Sequence, residues 1–179
     1  MHRKFLAFAL ALASISAMAQ MREAVEVPAG ALAPADVEFL QTADTANIDQ
    51  MTFGNRIAGN VKSRMRSVGE NVSRSHHKAD EALRLLAAAK HVDLGHRMSE
   101  RAKVEADDLM RRDPAVDRMY AENVVRDMDD LIAMYERAAA STSDGDIHDY
   151  AEKMLPSLRD NKRQAADALA RAGEPLRGD

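Results

Sequence analysis

The amino-acid sequence predicts an all-α fold, an antiparallel four-helix bundle with a short extra helix between the second and third long helices. Three observations carry this. Apolar residues recur at steps of three or four over four separate stretches, the spacing of one face of a helix. Short segments carrying Gly, Asn, Asp or Pro separate those stretches. No run alternates β-branched or aromatic residues with polar ones, so no strand is expected. Long amphipathic helices with short connections pack as an antiparallel bundle.

The chain of 179 residues opens on Met1-His2-Arg3-Lys4, followed by the apolar run Phe5–Ile15 and then Ala17-Met18-Ala19. A basic start, a short apolar core and small residues before the cut are the parts of a secretory signal peptide. The run is too short for a membrane span, which needs roughly 20 residues. The expected divisions are a signal peptide over 1–19 cleaved after Ala19, a flexible lead over 20–34, one bundle domain over 35–172 and a disordered tail over 173–179. Export to the periplasm, or beyond the cell, follows from that reading, with no membrane span left after cleavage.

The first helix is expected from Pro34-Ala35-Asp36, with Pro in the first turn and an acidic residue near the start. Its seam is Phe39, Ala43, Ala46, Gln50, Phe53 and Ile57, and Val37, Leu40, Asp44, Ile48 and Met51 form a flanking stripe. Gly54 and Gly59-Asn60 weaken its far end, and the connection is placed near Gly59–Ser63. The second helix carries Val68, Val72, His76, Ala79, Leu83 and Leu86 and runs to about Lys90. A break at His91–Gly95 precedes a charged, half-exposed helix over Arg97–Arg111, and Asp113-Pro114 starts the third long helix. That helix carries Val116, Tyr120, Val124, Met128, Leu131, Tyr135 and Ala138. After the turn Ser141–Gly145, the last helix carries Ile147, Ala151, Met154, Leu158, Asn161, Ala165 and Leu169, with a bend expected at Pro156.

Composition excludes several classes. The chain has no cysteine, so it carries no disulfide, thiolate chemistry or thiolate metal site. A net charge of −4 with 4% aromatic residues gives neither the basic face nor the stacking platform of a nucleic-acid binder. No Ser-His-Asp pattern or Gly-rich phosphate loop is present.

The candidate chemistry lies with a few polar residues. Bundle cores hold metals through Glu and Glu-x-x-His motifs, and none occurs here. Asp93-Leu94-Gly95-His96 is the nearest form, but it falls in the break between helices. His76 and His77 point about 100° apart on a helix, and His77 with Glu81, like His148 with Glu152, reads as a surface pair. Asp127, Asp129 and Asp130 flank the stripe position Met128, so a solvated face is expected for them. If a metal binds at all, His76, Asp127, Asp129 and Asp130 are its candidate ligands, although none is expected. Nine methionines follow Ala19, and those on the stripes fill the core.

With these stripes laid out, the chain resembles an exported bacterial family, domain of unknown function 4142, which is ferritin-like in fold. The likeness rests on Asp36-Val37-Glu38-Phe39-Leu40, on Met65–Ala79 with His76 in the family's histidine place, on Val116-Asp117-Arg118-Met119-Tyr120, and on Ala151-Glu152-Lys153-Met154-Leu155-Pro156-Ser157-Leu158. The last motif accounts for Pro156 inside a helix. The resemblance implies carboxylates late in the first helix and a histidine on each of the other three long helices. Here those places hold Gln50 and Thr52, Met128 and Asn161, and only His76 remains. A lone neutral imidazole does not offset the dehydration of a dication. Gln50, His76, Met128 and Asn161 are accordingly expected to meet as a polar core layer that fixes helix register.

The resulting expectation is an exported, non-catalytic bundle of the cell envelope with a degenerate metal site and no cofactor. Its role is structural or one of protein interaction, with an unknown envelope protein or peptide met through the charged short helix. The first alternative is a ferritin-like binder of iron or another transition metal, an oxidase in its enzymatic form; the second is a periplasmic stress holdase.

Overall fold

The structure, a computed structural model, describes residues 32–111 and 115–172. The signal peptide, nearly all of the lead, the Asp113-Pro114 restart and the tail over 173–179 lie outside the described residues. The protein is all-α: α1 spans Pro34–Gly59, α2 Arg66–Ala89, α3 Glu100–Glu105, α4 Ala115–Ser141 and α5 Gly145–Ala172, with a 3₁₀ turn at Asp108–Met110. Among the described residues there is no strand, and no helix is long and apolar enough to cross a membrane.

The helix ends obey local chemistry. Pro34 takes the first turn of α1 without losing a bond, since its missing N–H would be unpaired there. Asp144 caps α5 by accepting from the backbone N–H groups of Asp146 and Ile147, at 3.1 and 3.2 Å. α5 runs through the exposed Pro156 as one helix.

Packing follows the stripes. Val68, Val72, His76, Ala79 and Leu83 are buried on α2, and Val116, Tyr120, Val124, Met128, Leu131, Tyr135 and Ala138 on α4. α1 packs against α2 and α4, and α5 against the same two helices. Cross-helix pairs run in opposite directions along each partner: Asn55–Ser73 and Asn47–His76 between α1 and α2, Asn71–Gln164 and Ser75–Asn161 between α2 and α5, Asp129–Lys162 and Glu136–Arg159 between α4 and α5. The neighbours are therefore antiparallel. At one end, Phe39 meets Tyr135 edge-on with ring centroids 5.1 Å apart, and Tyr150 closes the group at 6.3 Å from Phe39. The Tyr150 hydroxyl also donates to the Ala79 carbonyl, at 3.3 Å, so this cluster ties all four long helices together.

The glycines of α1 differ from the sequence reading. Gly54 does not weaken the helix end; it lets α2 approach, since a Cβ there would lie 2.6 Å from the Gly69 carbonyl oxygen and 2.8 Å from Ser73 N. Gly59 meets nothing within 4 Å, and only there does the weakening argument apply.

The segment expected to be one short helix over Arg97–Arg111 is instead α3 followed by the 3₁₀ turn. Ser99 starts α3 as an N-cap, accepting from Ala102 N–H at 3.0 Å. Past Glu105 the helix stops at Asp107-Asp108, both poor helix formers. The carbonyls of Leu109 and Arg111 are taken by the Asn60 amide, at 3.3 and 3.1 Å. Leu94, Ala102, Ala106 and Leu109 are buried, and the 3₁₀ turn packs on both α1 and α4. This segment seals the α1–α4 side of the molecule.

Candidate functional site

The four seam residues are all buried, yet their polar members bond elsewhere. His76 is 2% exposed, and its Nδ1 lies 2.9 Å from Asn47 Oδ1, a residue of α1 not on the expected seam. Its Nε2 has no partner, and burial lowers the imidazole pKa to about 4, so the ring is neutral. Gln50 donates to Asp127 Oδ2 at 2.9 Å, Asn161 donates to Ser75 Oγ at 2.8 Å, and Met128 is fully buried. No hydrogen bond joins Gln50, His76 and Asn161 to one another; each is held by its own neighbour.

The three aspartates of α4 separate. Asp129, exposed, pairs with Lys162, and Asp130 is exposed. Asp127 departs from the solvated-face reading: it is 8% exposed because Arg101 of α3 folds over it, with Nη2 at 2.9 Å from Oδ2. That hydrogen bond raises the Arg101 pKa, and the guanidinium also lies 5.8 Å from the Phe53 ring centroid. Thus His76, Asp127, Asp129 and Asp130 do not converge as a ligand set. The cavity beside Gln50, Tyr120 and Asp127 holds about 10 Å³ of space, room for about one water molecule and no substrate. Of the described methionines only Met110 is exposed, so a methionine-rich adaptable surface is not formed.

A different group converges one turn from His76. Asp44 of α1, Asp80 of α2 and His96 of the α2–α3 connection place one possible ligand atom each within 4.8 Å of one another, and among the described residues no other group of three does so. Asp44 and Asp80 are 1% and 3% exposed, whereas the His96 side chain is 46% exposed. Asp44 Oδ2 accepts from the His96 backbone N–H at 2.9 Å, and Asp80 Oδ2 pairs with Arg84 Nε at 2.9 Å. The remaining oxygens, Asp44 Oδ1 and Asp80 Oδ1, are buried without a hydrogen bond, although His96 Nδ1 comes within 2.8 Å of the former. Burial raises the Asp44 pKa, with His96 opposing and Asp80 reinforcing the shift. His96 reaches this position with a left-handed backbone, φ 44°, which aims its N–H and its ring at one carboxylate.

Sequence reasoning passed over all three. The available signals were Asp44 as the charged member of an otherwise apolar flanking stripe, and His96, set aside for lying in a break. Asp80 stands four residues after His76, a helical spacing that was weighed only together with His76-His77 and Glu81.

Known proteins bear on the fold. A crystal structure of a DUF305 fragment from Deinococcus radiodurans superposes with a TM-score of 0.69 at 15% identity, over 79% of this chain and 99% of that one. At that identity the likeness concerns the fold alone. No curated protein matches the chain. Residues 21–168 match the family described as Domain of unknown function (DUF4142), and because that match spans most of the sequence, the chain belongs to this family.

Proposed function

We propose that the protein is an exported, non-catalytic helical bundle of the bacterial cell envelope, working through structure or protein interaction rather than turnover. On this reading the antiparallel helices form a four-helix bundle of ferritin-like build whose mid-bundle metal site has degenerated. The observation that carries it is the seam itself. Gln50, Met128 and Asn161 stand where the family resemblance implies anionic or imidazole ligands, and Asp127, His76 and Asn161 are already held by Arg101, Asn47 and Ser75. The roughly 10 Å³ beside Asp127 leaves no place for a reacting molecule. A short N-terminal apolar run behind two basic residues supports export.

The test has two readouts. The full chain expressed in a Gram-negative host is expected in the periplasmic fraction with its mass reduced by residues 1–19. The purified protein is expected to oxidise Fe(II) in air no faster than buffer. Retention in the cytoplasm, or oxidation abolished by His76→Ala, sinks the corresponding half of the reading.

A further inference from the structure

We propose that Asp44, Asp80 and His96 form a binding site for a divalent first-row transition-metal ion, apart from the degenerate seam and independent of the non-catalytic reading. Three features of the geometry lead there.

The first is how the carboxylates are held. Each has one oxygen fixed by an internal donor, Asp44 Oδ2 by the His96 N–H and Asp80 Oδ2 by Arg84 Nε. Each leaves its other oxygen buried and free of any donor but the His96 ring, which lies 2.8 Å from Asp44 Oδ1. This is the arrangement of monodentate carboxylate ligands whose second oxygen is oriented by an outer partner. Asp44 Oδ1 has only that ring nitrogen and Asp80 Oδ1 has nothing, so the latter has lost water and gained no partner, which is costly.

The second is charge. Two carboxylates 1% and 3% exposed share one small region, and among the described residues Arg84 is the arginine or lysine paired with them, on the outer oxygen of Asp80. A dication placed among the free oxygens and Nδ1 offsets both negative charges at once.

The third is His96. A non-glycine residue in the left-handed region is strained, and such strain persists where the surroundings hold it in place. Here it turns an imidazole toward two buried acids from a half-exposed position, which leaves an entry path and open coordination positions for water. Donors about 2.1 Å from a tetrahedral ion stand roughly 3.4 Å apart, so atoms within 4.8 Å of one another close on an ion by side-chain adjustments of about 1.4 Å at most.

One imidazole nitrogen with two carboxylate oxygens suits zinc, manganese or ferrous iron better than calcium, which takes six to eight oxygens, or copper(I), which seeks sulfur.

The proposal is tested on the mature chain, purified without chelator, by equilibrium dialysis with elemental analysis against zinc and manganese, with calcium as comparator. We expect one equivalent of zinc or manganese, at least tenfold weaker binding in Asp80→Asn and in His96→Gln, and unchanged binding in Asp129→Asn and His77→Gln. Zinc is expected to raise the melting temperature of the wild type but not of His96→Gln, a surface-loop change that leaves the carboxylates and the helices intact. Cobalt(II) loading gives a visible absorption band that must vanish in the same variant. Binding that survives both Asp80→Asn and His96→Gln, or no binding at 1 mM free metal, overturns the site.

Discussion

His76 Nδ1 lies 2.9 Å from the Asn47 side-chain oxygen, and this is the sole hydrogen bond of an imidazole 2% exposed to solvent. The ring therefore donates from Nδ1 and keeps an unpaired, buried Nε2. Its pKa is lowered to about 4 by burial, against an ordinary value near 6.5. The unfolded chain then binds a proton that the folded chain refuses, so stability falls as pH drops from about 6.5 towards 4 and levels off below. The full effect is up to about 3 kcal/mol. In His76→Leu this part of the acid limb should disappear, while stability at pH 7 changes by about 1 kcal/mol as Asn47 loses its donor. Urea melts of both proteins at pH 7, 6, 5 and 4 decide it; parallel acid limbs would count against a buried neutral ring.

Gly54 and Gly69 set how closely α1 and α2 approach. A Cβ on Gly69 would overlap the Ile57 Cγ2 methyl and lie 2.7 Å from the Gly54 carbonyl oxygen. Gly69→Ala should cost about 2–4 kcal/mol, since backbone rather than a flexible side-chain end is in the way. Gly59→Ala meets open space and, by helix propensity, should be neutral or stabilising by up to about 1 kcal/mol. Thermal melts of the two variants should move in opposite directions or differ by at least that gap.

Arg101 and Asp127 hold α3 to α4. The aspartate is buried and the arginine is 40% exposed, so solvent screens part of the attraction. Arg101→Ala should cost about 1–2 kcal/mol, chiefly because Asp127 and its bond from Gln50 stay buried without the guanidinium. Adding Asp127→Asn should recover part of that loss. A double-mutant cycle by chemical denaturation measures the coupling, and additive losses would mean the pair contributes nothing.

Asp144 caps α5 and pairs with Lys90, 2.7 Å away. That lysine holds the Asp144 carboxyl below its ordinary range. The stabilisation is present above the unfolded value near 4 and is lost as pH falls through the lower folded value. Asp144→Ala should cost about 1 kcal/mol and Asp144→Asn less, because the amide oxygen still accepts the cap bonds. Circular-dichroism melts at pH 7 distinguish the two.

That the protein is helical, and the course of its four long helices, could be read from the order of residues alone. The recurrence of Val68, Val72, His76, Ala79 and Leu83, or of Tyr120, Val124, Met128 and Leu131, is a property of 3.6 residues per turn and needs no partner to be read. It also identified the odd polar residues on each stripe, and Gln50, His76 and Asn161 are buried. Which groups those residues meet was fixed by packing between helices. Asn47, Ser75 and Asp127 became the partners because packing rotates and slides each helix by amounts that periodicity does not encode, and the close approach at Gly54 and Gly69 is one source of that register. Asp127 was buried by Arg101, a residue of another element, and no local pattern announces such a cover. The meeting of Asp44, Asp80 and His96 depends further on His96, one of two left-handed residues in the α2–α3 connection, where a backbone angle aims the ring. Helical periodicity is local in the chain, whereas a site is local only in space.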